Sequence, residues 1–490
     1  MFTHNPRQFI IITSYRGFYA GGTLFTGRKK ELKQLSEWAF KKEAKVIVLT
    51  GRRRVGKSCL IKYFGDNQKK PYYELIGQPP GKINRKSAEL ANVSQQISDT
   101  FNTHRPILND WEDALNVIAD CVKDGNCILM IDEINWFGKT ATNISESLFT
   151  LWESKLKMLP SFTLILTGSL AGWIDDNFSK STAWYGRIMW QPILHPLSLN
   201  EALSFIPVSK RKRMTPWEQL SYSMIAGGIP QYLEVLNYSK TIEDNLISLA
   251  YSQSGYFFNE YEQLMRELFR AKKTKINKIL ELLRDKNCTA DEVAKGLGLS
   301  KANGDLYADL EMMEKSFFID VEEQWDITTN KVLSRNKKYY ISDPYLRFYH
   351  KAIFPYKNRI EKSVATLPKN LESLLGFQFE YVMMQNIDLV FKIVGVNSQD
   401  VEHYSPYSRS GLQIDLLIQT KRFFYIVELK FKKGLLDSGV VRNMKQKLAR
   451  FGTPHKSKSI KTAIIHVGGV EDCVNESEYI DICENIVDHI

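Results

Sequence analysis

No apolar run in this 490-residue chain approaches the ~20 residues that a membrane-spanning helix needs, so no membrane partner is expected. The six cysteines (59, 121, 127, 288, 473 and 483) include no C-x-x-C pair, and no histidine pair stands near them at ligand spacing. That pattern argues against a zinc site and a disulfide framework, and fits a reducing, cytoplasmic setting. There is no internal repeat and no low-complexity tract. At the amino end, MFTHNPRQFIIITSYRGF holds an apolar run of only Phe9 to Ile12, too short for a signal-peptide core. It reads as a leading strand, or as a start codon placed too early. Charge of one sign is also scarce: 66 Lys and Arg face 55 Asp and Glu, a net +11. That mild excess suits an anionic partner such as nucleic acid or nucleotide without demanding one.

Several short runs are rich in apolar and β-branched residues. KVIVLT (45–50), CILMID (127–132) and FTLILTGS (162–169) read as buried strands, with helical stretches such as EDALNVIADCV (112–122) and SESLFTLWESKL (145–156) between them. Strands alternating with helices predict an α/β fold with a parallel sheet covered on both faces.

GRRRVGKS follows the first of these strands and opens a helix, the setting in which a G-x-x-x-x-G-K-[ST] stretch cradles phosphates. Gly51, Arg54, Val55, Gly56, Lys57, Ser58 and Cys59 are the expected lining. The glycines let backbone N–H groups approach phosphate oxygens, Lys57 reaches the β- and γ-phosphates, and Ser58 ligates Mg²⁺. CILMIDE supplies the second half, at the end of a neighbouring strand. Asp132 would hold the Mg²⁺ shell and Glu133 would orient or deprotonate the attacking water. Thr167 or Ser169 would report the γ-phosphate. Arg52 to Arg54 read either as loop-tip surface charge or as extra positive charge around a polyphosphate.

FTGRKKEL (25–32), GRRRVGKS, LMIDEIN (129–135), LTGSL (166–170), WYGR (184–187), HPLSLNEA (195–202) and GGIPQYL (227–233) occur in that order. Together they resemble the archaeal-type ATPases, a branch of the AAA+ and STAND P-loop NTPases, over residues 21–350. The resemblance implies ATP and Mg²⁺ as ligands, Arg28 near the base or ribose, and Arg187 as a γ-phosphate sensor or finger. It also implies that Gly228-Ile229-Pro230 leads into a helical lid that couples nucleotide state to an attached effector.

TADEVAKGLGLS (289–300) begins with a capping box, Thr289 and Glu292. Its glycines predict a turn into a second helix opened at Ser300, with Ile279, Leu283, Val293, Leu299, Leu306 and Leu310 as one core and DITTNKVLSRNKKYYISDP as a wing. DNA binding is the obvious reading of a winged helix-turn-helix. However, KANGDLYADLEMMEK (301–315) carries two lysines against Asp305, Asp309, Glu311 and Glu314, which phosphates would repel. The basic residues Lys331, Arg335, Lys337 and Lys338 sit in the wing instead. A structural arm therefore competes with a DNA reader. KNRIEKSVATLPKN (357–370) is the linker candidate.

GLQIDLLIQ (411–419) and FFYIVELKF (423–431) are apolar runs with carboxylates inside them, an arrangement that is costly unless the charge binds something. Asp415, then Glu428 and Lys430 on one strand face, resemble the PD-(D/E)xK nuclease-like superfamily over residues 365–470, although Ile414 stands where the strict motif has proline. The expected order is a helix with Glu380, a strand at 388–396, the strands of Asp415 and Glu428, a helix at 438–451 and a strand at 462–467. In that resemblance Glu380, Asp415 and Glu428 hold Mg²⁺, and Lys430 orients water or offsets charge at phosphorus.

The expected organisation is an amino-terminal extension (1–20), an AAA+-like P-loop core (21–200), a helical lid (201–268), a winged helix-turn-helix (269–355) and a nuclease-like α/β domain (365–490). The leading expectation is an ATPase that drives a metal-dependent nuclease acting on nucleic acid, DNA in preference to RNA. The alternatives are a STAND-type switch whose effector binds nucleic acid or protein without cutting, and a transcriptional regulator acting through the winged helix. A protein trigger or self-assembly is compatible with each.

Overall fold

The computed structural model describes residues 16–18 and 24–490, apart from 40, 79–85, 139, 142, 170, 270–271, 334–336, 410 and 453–456. The extension at 1–20, Arg16–Phe18 excepted, and Arg335 of the wing lie outside the described residues. Among the described residues no helix is long and apolar enough to cross a membrane. The chain divides into two compact units, residues 1–195 and 196–490.

In the first unit a small antiparallel pair, β1 (Arg16–Phe18) and β2 (Leu24–Thr26), precedes α1 (Lys29–Ala39). The main sheet is built from β3 (Lys45–Gly51), β4 (Tyr72–Ile76), β5 (Ile128–Asp132), β6 (Thr163–Gly168), β7 (Ile188–Trp190) and β8 (Ile193–Leu194). The helices α2 (Lys57–Asp66), α3 (Lys86–Phe101), α4 (Trp111–Cys121), α5 (Ile144–Ser154) and the short α6 (Ala171–Ile174) connect them. The strand order is β4-β5-β6-β3-β7, all parallel, with β8 also on β3. Val46, Val48, Leu129, Ile131, Leu164 and Leu166 share one core with Leu115 and Ile118 of α4 and Leu148 and Leu151 of α5. Coverage on both faces explains why these strands are apolar throughout rather than alternating. One expectation needs correction: the strand carrying Asp132 is not beside the P-loop strand, because β6 lies between them.

The second unit begins with helices: α7 (Leu199–Leu203), α8 (Val208–Arg211), α9 (Pro216–Ala226), α10 (Pro230–Glu234), α11 (Ile242–Leu249) and α12 (Tyr256–Leu268). A capping box from Thr215 and Glu218, with Pro216 at the first helical position, starts α9. Gly228 sits where a Cβ would stand 2.0 Å from the Leu197 carbonyl oxygen, while the Leu197 N–H donates to Gly228 O at 2.7 Å. Only glycine allows that approach.

Next come α13 (Lys273–Leu283), β9 (Cys288–Thr289), α14 (Ala290–Gly296), α15 (Gly304–Lys315), β10 (Ile319–Glu322), a β11–β12 hairpin (Trp325–Asp326, Lys331–Val332) and β13 (Lys338–Ile341). The strands β10, β13 and β9 form one antiparallel sheet. Ile279, Leu283, Val293, Leu306 and Leu310 are buried together, with Leu299 half-buried. The second helix starts later than expected, at Gly304, because Asn303 rather than Ser300 caps it by accepting the Leu306 N–H. Around the stretch expected as a wing, burial is deeper than an exposed hairpin would show. Trp325 and Ile327 are buried in the core of the carboxy-terminal sheet, and Trp325 Nε1 donates to Gln419 Oε1 at 2.6 Å.

After α16 (Pro344–Phe348), the linker candidate is partly helical: α17 (Lys357–Glu361) buries Ile360 completely. The last segment runs α18 (Leu371–Gln385), α19 (Ile387–Ile393), β14 (Val401–Arg409), β15 (Leu412–Thr420), β16 (Phe423–Lys430), α20 (Ser438–Phe451), β17 (Ser459–His466), α21 (Asp472–Asn475) and β18 (Ile482–Asn485). Its sheet is ordered β14-β15-β16-β17-β18, antiparallel up to β16 and parallel after it. The strand expected at 388–396 is instead mostly α19, and β14 takes its place in the sheet. Val390, Phe391 and Ile393 are buried at spacings a single helix face also satisfies, and a short apolar run does not distinguish the two.

Candidate functional site

β3 ends and α2 begins around a loop whose backbone only a few residue types tolerate. Gly51 has φ +149° and a Cβ there would meet Leu194 O at 2.5 Å. Gly56, the N-cap of α2, is left-handed at φ 92°, and Arg54 is left-handed at φ 68°. Lys57 is buried, and its Nζ donates to Gly51 O at 3.0 Å and Arg52 O at 3.2 Å. Burial holds its ammonium below the usual lysine range, with Glu133 and Asp132 pulling it back up. Val55 is buried, and Cys59 is exposed on the first turn of α2.

Ser58 donates its hydroxyl to Asp132 Oδ2 at 2.5 Å. The other oxygen, Asp132 Oδ1, accepts from the Thr167 hydroxyl and from the Glu133 N–H at 3.1 Å. Thr167 can make this bond because β6 is the strand between β3 and β5. Glu133 has φ +49°, an uncommon value for a residue with a Cβ, and one that marks a held conformation. Its Oε2 accepts from the Ser169 hydroxyl at 2.7 Å and the Ser169 N–H at 3.3 Å. Oriented as its neighbours require, the Asn135 amide donates to the same oxygen at 3.2 Å and accepts from Trp136 Nε1 at 2.9 Å. The structure therefore assembles Lys57, Ser58, Asp132, Glu133, Thr167 and Ser169. Asn135 went unnoticed in the sequence, although it stands two residues after Glu133 in LMIDEIN.

Three arginines have defined placements. Arg28 is buried, donating to Val55 O at 2.9 Å and His195 O at 2.7 Å, so its guanidinium braces the phosphate loop itself. Arg52 is 1% exposed, which excludes the loop-tip reading for that residue. Arg187 is not brought to the loop: it is exposed, and its Nε donates to Glu153 Oε1 at 3.2 Å.

At the other end of the chain, Asp415, Glu428 and Lys430 converge. Lys430 Nζ lies 2.9 Å from Asp415 Oδ2 and 2.8 Å from Glu428 Oε2, and Asp415 also accepts the Leu429 N–H at 3.0 Å. Burial would depress the Lys430 ammonium, but the two carboxylates outweigh it and hold it above the usual range. Burial pushes the Glu380 carboxyl up to about 7, and repulsion from Asp415 adds to the shift. Glu428 is 3% exposed and is also bonded by Lys447 of α20. Lys447 was missed in the sequence; its spacing three residues after the buried Met444 was the available signal. The expected three-carboxylate metal shell is not assembled. Among the described residues no group of three His, Cys, Asp or Glu side chains stands in metal-holding geometry, and at Glu428 ammonium groups provide the positive charge.

Comparison with known proteins adds to this geometry. Residues 25–236 match the family profile described as an ATPase domain predominantly from Archaea. An uncharacterized protein of Methanocaldococcus jannaschii is 28% identical over 363 residues, 73% of this chain and 76% of that one. An uncharacterized ATP-binding protein of the same organism is 47% identical over 49 residues, 10% of this chain and 83% of that one. Among solved structures, the Walker-type ATPase of Pyrococcus abyssi aligns with 66% of this chain and 95% of its own, with a TM-score of 0.47 and 21% identity. With its phosphate loop, its carboxylate pair and its parallel sheet, the segment from 25 to 236 is an archaeal-type ATPase domain of the P-loop class.

Proposed function

We propose that ATP binding and hydrolysis in the amino-terminal domain drive a carboxy-terminal nuclease-like domain that cuts nucleic acid, DNA in preference to RNA. The observation that supports this reading is the placement of Lys430 within hydrogen-bond distance of both Asp415 and Glu428. The boundaries proposed are a lid at 201–268, a winged-helix-like arm at 269–355 and the effector at 365–490.

In the ATPase, Lys57 would exchange the loop carbonyls for phosphate oxygens, and Glu133 would leave Ser169 to orient water. Ser58 and Asp132 offer hard oxygen donors and fit Mg²⁺, which when bound neutralises charge on the β- and γ-phosphates. In the effector, Glu380, Asp415 and Glu428 offer the same donor chemistry, but they would have to draw together from their present arrangement, with Lys430 leaving the carboxylates, before they could share an ion. An ammonium already lying between two of these carboxylates marks where positive charge is favoured. There Mg²⁺ would polarise a phosphodiester and activate water. Lys430 would turn from its carboxylates toward the charge developing at phosphorus.

Cleavage of plasmid and linear DNA with Mg²⁺ or Mn²⁺, with and without ATP, tests the reading on wild type, Lys57→Ala and Glu428→Ala. Cleavage that is lost in Glu428→Ala and that loses its ATP dependence in Lys57→Ala is expected. No cleavage by folded, ATP-bound protein would remove the nuclease half.

A specific observation favours a second reading, a switch whose effector binds nucleic acid or protein without cutting. Glu428 is held by two lysines, Lys430 and Lys447, which leave it neutralised without a metal. Cellular function that survives Glu428→Ala but not Lys57→Ala would select it. A DNA-reading winged helix is less favoured. Asp309 on the second helix is buried and paired with Lys272 at 2.6 Å and Lys275 at 2.5 Å, which ties that helix to α13, as suits an arm.

A further inference from the structure

Within the second unit, β10, α18, α19 and β14 surround a cavity of about 480 Å³, the size of a small-molecule site. Aromatic pairs wall it. Tyr340 and Tyr381 have ring centroids 5.2 Å apart, Phe391 and Tyr404 5.6 Å, and Trp325 stacks on His403 at 5.3 Å. Four carboxylates also line it: Asp320, Glu322, Glu323 and Glu402.

Two of these carboxylates have lysine partners, Glu323 with Lys337 at 3.2 Å and Glu402 with Lys458 at 2.5 Å. Among the described residues, the hydrogen bonds to the other two come from neutral donors. Asp320 accepts the Val321 N–H at 2.7 Å and the Tyr340 hydroxyl at 3.4 Å. Glu322 is 9% exposed and accepts from the Asn287 amide at 2.6 Å and from the Gln324 amide. Neither forms an ion pair among the described residues. Lys338, opposite Glu322 in the β10–β13 register, pulls the Glu322 pKa down without forming an ion pair, but burial outweighs it and leaves the pKa raised, because a buried carboxylate that lacks a direct counter-charge is costly. Aromatic faces around the same space attract cations as well.

We propose that this cavity binds an organic cation, an ammonium or guanidinium group on an apolar stem. Asp320 and Glu322 supply the negative charge, and Tyr340, Tyr381, Trp325 and Tyr404 supply the faces against which the stem and the charge pack. Phosphorylated ligands are disfavoured by the four carboxylates. A bare divalent ion would leave the aromatic walls unused. The free amine and the basic side chain of a peptide share this chemistry, and the site is independent of whether the carboxy-terminal domain cuts nucleic acid.

Titration calorimetry on the full chain tests it, using agmatine as the free cation, a hexa-arginine peptide as the side-chain source and N-butylurea as the uncharged control. Agmatine or peptide is expected to bind, N-butylurea not to, and Glu322→Gln and Asp320→Asn each to weaken binding about tenfold while leaving ATP hydrolysis unchanged. Asp320 is exposed, so its substitution does not threaten the fold. Tighter binding of the peptide would assign the site to a basic protein segment, and equal or tighter binding of agmatine to a free amine. Absence of binding by both up to about 10 mM, or wild-type affinity in both variants, would overturn the proposal.

Discussion

Ser169 donates its hydroxyl to Glu133 Oε2 at 2.7 Å, tethering the acid beside the phosphate loop to the end of the adjacent strand. Glu133→Gln keeps the shape and removes the carboxylate proposed to orient or deprotonate water. It is expected to retain ATP binding while hydrolysis falls by about 10²–10⁴-fold, measured as phosphate release beside nucleotide affinity. Ser169→Ala removes the shortest of the three donors to that oxygen and leaves the Ser169 N–H and the Asn135 amide, so a smaller change in turnover with unchanged affinity is expected.

Arg28 holds the loop through two backbone carbonyls, Val55 O and His195 O. Arg28→Ala leaves both without that charged donor. A stability loss of about 2–4 kcal/mol is expected from urea unfolding, together with weaker ATP binding. Wild-type stability would show that the loop keeps its shape unaided.

His350 is 1% exposed, sits against Tyr261 and Tyr349, and neither of its ring nitrogens has a hydrogen-bond partner among the described residues. Burial, with a smaller contribution from Arg284, brings its pKa down to about 3 from the ordinary 6.5. The unfolded chain therefore takes up the proton first as pH falls. The stabilisation is complete above pH about 6.5 and is lost progressively toward pH about 3, on the order of a few kcal/mol. Denaturant titrations from neutral to acid pH should show a shallower acid loss for His350→Phe than for wild type.

Gly228→Ala would place a Cβ 2.0 Å from the Leu197 carbonyl oxygen, a backbone atom with no rotamer to yield. A destabilisation of about 2 kcal/mol or more is expected in thermal or denaturant melts.

Lys447 is one of two ammonium groups on the buried Glu428. Lys447→Met should cost about 3 kcal/mol, because a buried carboxylate loses a partner. If the cluster accepts a divalent ion, Mn²⁺ should raise the melting temperature of Lys447→Met more than that of wild type. An equal response in the two proteins would argue that no ion enters.

Much of the fold was legible because local patterns there agreed with tertiary burial. β3, β5 and β6 are apolar on both faces, so their runs identified themselves, and the Thr289–Glu292 capping box formed as read. The first strand of the carboxy-terminal sheet was not legible. Residues 387–393 present apolar side chains at positions that either a helix or a strand can bury, whereas β14 is broken by register shifts and carries Pro406. The burial of Ile327, and of Trp325 just before the expected wing, was not legible for another reason: both look like ordinary hairpin residues until the carboxy-terminal sheet covers them.

What the sequence determined by itself was the chemistry of short contiguous stretches. A glycine that must adopt positive φ, a lysine and serine placed after it, and carboxylates ending a buried strand are properties of neighbouring residues. Tertiary structure alone decided which of these groups meet and what each is spent on. Thr167 reaches Asp132 because β6 lies between β3 and β5, Arg28 braces the loop through the Val55 carbonyl, and Glu428 faces Lys447 across nineteen residues of chain. Those outcomes depend on strand order and helix docking, which are set by the burial of whole apolar faces and carry no local signature in the chain.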